Sequence, residues 1–199
     1  MEHYGHGYEP EPGLDEGSIV ARAQDGDLRA FEYLVNSYQD RLFRLAYRML
    51  NDRGDAEDVV QDALTASWRG LAMLQDVQAF GGWVYRLATN RCLDVLRKRS
   101  TRTEHITDPQ DILSISMDGA GSDQLADPAY EAERTARDDS LTRVVNTLPP
   151  EQRACWLLRE MHGRSYAEIG VTLKISPAAV RGRLARARIQ IAEGMSEWR

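Results

Sequence analysis

The chain is poor in the residues that usually announce chemistry. It has two cysteines, Cys92 and Cys155, far apart and outside any CxxC or Cys/His metal spacing. Buried free thiols in a reducing cytoplasm are the simple account, with a bridge under oxidation as the alternative. No uninterrupted apolar run approaches the roughly 18 residues of a membrane helix, so no membrane insertion is expected. The opening "MEHYGHGYEPEPGLDEG" lacks both a basic start and an apolar stretch, which speaks against a secretion signal and for a cytoplasmic protein. There is no Gly-rich phosphate loop, and no segment alternates like a strand. Positive charge is in deficit too: 25 basic side chains face 31 acidic ones, a net charge of −6. That balance argues against a protein that coats nucleic acid uniformly. It leaves room for a confined basic surface, because contact electrostatics fade within about 8 Å at physiological salt.

What is present is helical periodicity. Residues 1–17 carry Gly, Pro, Glu and Tyr without an apolar period and are expected to be a disordered tail. His3 and His6 lack further ligands, so neither a metal nor a cofactor is expected. From Ser18 to Arg99 four helices are predicted. "SIVARAQ" is stopped by Gly26, and Asp27 is placed to cap the next helix. "LRAFEYLVNSYQDRLFRLAYRML" carries an amphipathic stripe, and "NDRGDAEDVVQDALTASWRGL" restarts after a capping Asn/Asp pair. A fourth helix begins near Phe80. Residues 100–138 lose the period and read as an acidic, flexible linker. A second helical unit spans 139–199, broken at Pro149 and Pro150. The expected fold is therefore all-α: two small helical domains joined by a tether.

"SYAEIGVTLKISPAAVRGRLARAR" has the layout of a helix-turn-helix. Ser165 and Glu168 form a capping box, a tight turn runs through Lys174 and Ile175, and Ser176 and Pro177 start a second helix. That motif places its second helix in a DNA major groove. Turned at about 100° per residue, the helix puts Val180, Leu184, Ala187 and Ile191 on a core side. Ala178, Gly182 and Ala185, all small, lie opposite. Arg181 and Arg188 flank one edge, Arg183 and Arg186 the other. Small residues let the helix axis approach base edges, and arginines on both edges reach the phosphate walls.

Two further segments carry charge. In "GWVYRLATNRCLDVLRKRSTR", Trp83, Arg86, Asn90, Arg91, Arg97 and Lys98 give the aromatic, amide and guanidinium mixture that stacks on and reads an unpaired base. Trp83 is equally readable as core, and Asp94 is expected to pair with Arg97 or Lys98 along the helix. In the third helix Asp55, Asp58 and Asp62 share one side. They suit either the helix dipole or a docking surface for a basic partner. Magnesium chemistry lacks a general base and a phosphate loop, so a metal-dependent nucleic-acid enzyme is the weakest alternative, and no catalytic residue is assigned.

The order "DAEDVVQDALTASWR", "FGGWVYRLATNRCLDVLRKR", acidic linker and "LPPEQRACWLLREMHGRSYAEIGVTLKISPAAVRGRLARAR" resembles bacterial RNA polymerase sigma factors of the extracytoplasmic-function (ECF) group, within the sigma-70 family, over about Asp25 to Ala192. The resemblance implies a region-2-like domain at 18–99 and a region-4-like domain at 139–199. It implies binding to core RNA polymerase through Asp55, Asp58, Gln61 and Asp62. It implies minus-ten capture of an extruded base by the helix with Arg86, Asn90 and Arg97 and by the loop around Leu71 to Gln78. Minus-thirty-five reading would fall to the helix from Pro177, the linker would thread toward the polymerase active centre, and an anti-sigma factor would be a partner. A helix-turn-helix regulator acting without polymerase is the competing reading. Ala178 and Ala179 stand where many relatives have a Gly-Thr pair, which removes a hydroxyl contact. Gly170 stands where alanine is usual, costing that helix about 1 kcal/mol.

Overall fold

The computed structural model of the chain describes residues 15–105 and 140–196, and among these all regular structure is helical. The predicted tail up to Leu14 and the predicted linker from Ile106 lie outside the described residues.

Helix α1 (Glu16–Gln24) starts two residues ahead of Ser18, because the Asp15 carboxylate accepts from the Ser18 N–H at 2.9 Å and so caps it. Glu16 and Gly17 thus belong to the helix and not to the tail. Gly26, at φ +94°, turns the chain, and Asp27 caps α2 (Leu28–Leu50) by accepting from the Arg29 and Ala30 N–H groups. The Asn51/Asp52 pair divides its work. Asn51 ends α2 in the left-handed conformation, at φ 51°, and Asp52 opens α3 (Arg53–Gly70) by accepting from the Asp55 N–H. After two single 3-10 turns, α4 runs from Phe80 to His105, past the expected end at Arg99. Nothing between Ser100 and His105 breaks a helix; the next proline along the chain is Pro109.

These helices bury Leu34, Leu42, Leu45 and Met49 of α2 against Ala56, Val59 and Ala63 of α3 and Phe80, Val84 and Ala88 of α4. Cys92 joins this core as a free thiol, and burial pushes its pKa up to about 12, which removes its reactivity at neutral pH.

The second unit begins with α5 (described from 140 to 147). Pro150 then opens α6 (Pro150–Trp156), which continues as a wider π turn over Leu157–Met161. Helices α7 (Tyr166–Leu173) and α8 (Pro177–Gly194) complete the unit around Leu148, Leu157, Leu158, Ile169, Val180 and Leu184.

The two small helical domains that the sequence predicts are both present, and the structure packs them against each other around one continuous apolar core. Arg153 of α6 is the chief polar link. Its guanidinium, 8% exposed, donates to the Met49 carbonyl of α2 at 2.6 Å, to the Leu148 carbonyl at 3.2 Å, and to the Asn146 carbonyl. The last carbonyls of a helix lack intrahelical donors, so a cation there satisfies them and favours the helix dipole. Arg99 does the same within the first unit, donating to the Leu50 carbonyl at 2.8 Å. A second link forms at Tyr85 of α4. Its hydroxyl lies 3.0 Å from His162 Nδ1, and the Arg164 guanidinium sits 4.3 Å from its ring centroid. Helix α4 accordingly buries a side the periodicity did not mark, at Gly81, Tyr85, Thr89 and Cys92.

Candidate nucleic-acid interface

The turn between α7 and α8 is built as the sequence predicts. Ser165 accepts from the Glu168 N–H at 3.2 Å while the Glu168 carboxylate accepts from the Ser165 N–H at 2.8 Å. These bonds hold the Glu168 carboxyl below its ordinary pKa. Lys174 closes α7 in the left-handed conformation at φ 55°, and Ser176 caps α8 by accepting from the Ala179 N–H. Gly170 has a positive reason to be glycine. A Cβ there would stand 2.8 Å from the Ile175 backbone oxygen, so the tight turn depends on its absence, which outweighs the helix-propensity cost.

On α8, Val180, Leu184 and Ala187 are buried and Ile191 is half-buried against the core. Ser176, Pro177, Ala178, Arg181, Ala185, Arg186 and Arg188 are exposed, with Gly182 and Arg183 half-buried. The four arginines differ in freedom. Arg188 binds Glu160 at 2.6 Å. Arg183 lies against the buried Cys155, whose pKa burial raises to about 11 while Arg183 draws it partly back. Arg181 and Arg186 have no ion pair among the described residues, one on each edge of the small-residue strip.

Helix α4 places its basic residues in two environments. Arg91 binds Asp62 at 2.6 Å and Arg97 binds Asp94 at 2.7 Å, the pairing expected of Asp94. Lys98 is exposed beside them. Asn90 lines a groove of about 610 Å³ between α3 and α4, with Arg69 and Leu87. Trp83 is half-buried. Its indole meets Phe80 edge-on at 6.1 Å and leans on Gly70, where a Cβ would come within 3.0 Å of it. Its other side opens, with Arg86, into a cleft of about 600 Å³ whose far wall is Arg164, Ala167 and Val171 of the second unit.

Periodicity missed how the preceding loop is held. Gln24 of α1 donates from its one amide nitrogen to the Leu71 carbonyl at 2.9 Å and the Leu74 carbonyl at 2.7 Å. Between these pins Met73 stands 83% exposed. Only the fold brings residues this far apart in sequence together, so no local pattern could have found Gln24.

The acidic side of α3 is likewise divided. Asp55 is bound to Arg99 and Asp62 to Arg91, while Asp58 and Gln61 are exposed without a carboxylate-to-arginine pair among the described residues. Gln61 belongs to a groove of about 420 Å³ between α2 and α3, whose wall adds Asp40, Phe43 and Glu57 to the residues the sequence pointed to. Among the described residues no three His, Cys, Asp or Glu side chains converge to hold a metal ion. No described helix is long and apolar enough to cross a membrane.

A helix-turn-helix unit with Arg181 and Arg186 beside a small-residue strip, packed on a helical bundle, is the all-α architecture of a helix-turn-helix protein. Family models place the chain further: sigma-70 region 2 matches residues 34–102 and sigma-70 region 4 matches residues 138–191. The ECF RNA polymerase sigma factor SigE of Mycolicibacterium smegmatis is 32% identical over 178 residues, covering 89% of this chain and 66% of that protein. The RNA polymerase sigma-H factor of Pseudomonas aeruginosa is 31% identical, covering 89% of this chain and 92% of its own. In fold, the chain is similar to the sigma factor RpoE solved in complex with the anti-sigma factor NepR from Bartonella quintana (TM-score 0.66, 21% identity, 83% of this chain and 96% of that one). The chain belongs to the ECF group of sigma-70 family RNA polymerase sigma factors, and it directs promoter-specific transcription.

Proposed function

We propose a division of labour in which α8 reads the minus-thirty-five element as duplex, α4 with the Gln24-pinned loop captures the melted minus-ten strand, and the α2–α3 groove docks on core polymerase. The reading is carried by one observation: among the described residues Arg181 and Arg186 have no ion pair, on opposite edges of the Ala178–Gly182–Ala185 strip, while the neighbouring Arg188 binds Glu160. The protein contributes recognition and no catalysis of its own. It acts in the cytoplasm, where its polymerase is, and an anti-sigma factor is a partner, as NepR is for the structurally similar RpoE.

The closed packing gives the division of labour a mechanical requirement. Elements centred near minus ten and minus thirty-five are about 25 base pairs apart, or about 85 Å of duplex at 3.4 Å per pair. Here Tyr85 of α4 meets His162 and Arg164 of the connection that leads into α7. The two units must part before both elements are held, and polymerase supplies the scaffold that holds them apart. Neither basic surface then needs to bind duplex strongly alone, since tethering supplies the effective concentration.

The minus-ten assignment is tested at Asn90 and Trp83. Asn90→Ala and Trp83→Ala in holoenzyme are expected to lower permanganate reactivity of the melted thymines about tenfold or more, given about 1–3 kcal/mol per stacked or bonded base. Closed-complex formation stays near wild type. Footprints identical to wild type reject the assignment.

A further inference from the structure

Many arginines of this acidic chain are matched with acid. Arg22, Arg53, Arg91, Arg97, Arg99, Arg164 and Arg188 each bind a carboxylate. Arg41, Arg44 and Arg48 of α2 bind none among the described residues, and their separations of three and four residues align them on one helix face. Arg41 and Arg44 are exposed; the half-buried Arg48 bonds to a neutral hydroxyl, Thr142 Oγ1, at 3.4 Å. Asp40, their neighbour in sequence, lies in the α2–α3 groove with Gln39 and Phe43.

The positive field of this stripe shows in its surroundings. Burial, followed by Arg164, Arg44, Arg41 and Arg48, lowers the His162 pKa to about 4, so the imidazole is neutral at pH 7. Arg41 and Arg44 also draw down the pKa of the Tyr85 phenol on α4, which burial holds above its ordinary value. Like charges at these spacings cost a helix about 0.2–0.5 kcal/mol per pair. A stripe that repels itself, in a chain with acid to spare, fits an anionic partner.

We propose that Arg41, Arg44 and Arg48 form a third promoter contact, a rail on α2 that grips the sugar–phosphate backbone of the strand captured by α4. The inference rests on the reading of α4 as the minus-ten helix. At a rise of 1.5 Å per residue the stripe is about 10.5 Å long, the length of about three nucleotides stacked at 3.4 Å. Arginine is the suitable cation, since its guanidinium forks onto phosphate oxygens. In the closed protein Arg48 is held by Thr142 of the second unit. Parting of the units releases Arg48 and clears the approach of the strand.

The test is the salt dependence of promoter binding by holoenzyme carrying Arg41→Gln, Arg44→Gln and Arg48→Gln together. Each lost single-strand phosphate contact lowers the log–log salt slope by about 0.7, so the triple variant loses about 2 and binds the promoter roughly tenfold or more weakly. The triple lysine variant, which keeps the charges, restores most of the slope. Helicity and holoenzyme assembly without DNA stay at wild type for both, and the glutamine variant melts no lower than wild type. A glutamine variant with the wild-type slope overturns the rail, whatever Asn90→Ala does. So does failed assembly with core polymerase, which makes the stripe a protein-docking face, and so does a lysine variant that restores nothing. With the slope lowered, wild-type melting by Asn90→Ala overturns only the reading of α4.

Discussion

Alanine at both Arg181 and Arg186 is expected to reduce transcription from promoters that need the upstream element by about 30-fold or more. Each base or phosphate contact of a recognition arginine is worth about 1–3 kcal/mol, so two independent contacts give about 2–6 kcal/mol. Additivity is reasonable because the two side chains stand on opposite edges of α8 and share no partner among the described residues. Arg188→Ala is the internal contrast. That side chain is already held by Glu160, so its loss should reduce the same transcription far less. Run-off transcription by holoenzyme, on matched templates with and without the upstream element, separates these outcomes. Equal loss on both templates, or no loss from the double variant, rejects the two-edge assignment.

The second large effect concerns the packing of the units. Arg153→Ala removes a nearly buried guanidinium and leaves the Met49, Leu148 and Asn146 carbonyls without their donor. Charge-assisted hydrogen bonds contribute about 1.5–3 kcal/mol, and a stranded buried acceptor costs about 1–3 kcal/mol. A loss of about 3–5 kcal/mol in urea unfolding is therefore expected. Because Met49 belongs to the first unit and Arg153 to the second, the single transition should also split into two. Arg153→Lys keeps the charge but cannot span three carbonyls, and should fall between. A variant that unfolds in one transition at the wild-type midpoint rejects Arg153 as the link.

The local grammar of this fold was legible in the sequence. The Ser165/Glu168 capping box, Ser176 with Pro177, the Gly26 stop and the Asp27 cap each act through neighbours within a few residues, so each is written in one short stretch. The core side of α8 followed from its period for the same reason. What escaped was whatever depends on distant segments meeting. Arg153 reads as an ordinary surface arginine until the end of α2 is placed beside it. Gln24 reads as a polar residue near a helix end, and Gly170 as a weak spot in a helix, until the Ile175 carbonyl arrives against it. The covered side of α4 at Tyr85 was invisible because the helices that cover it come after the linker.

The same division explains the candidate sites. Charge and residue size along α8 and α4 picked out the surfaces, since those properties are local. Which arginines are free could not be read, because Glu160, Asp62 and Arg99 reach their partners across 28, 29 and 44 positions. Fold geometry therefore reduced four arginines on α8 to two and set apart three on α2, Arg41, Arg44 and Arg48.

The most direct measurement is the distance between spin labels at Glu32→Cys on α2 and Glu193→Cys on α8, both exposed, with native Cys92 and Cys155 buried. One narrow distance in the free protein, lengthening by tens of ångströms in the complex with polymerase and promoter, is the predicted result. A complex that transcribes from the promoter while keeping the free-protein distance contradicts it.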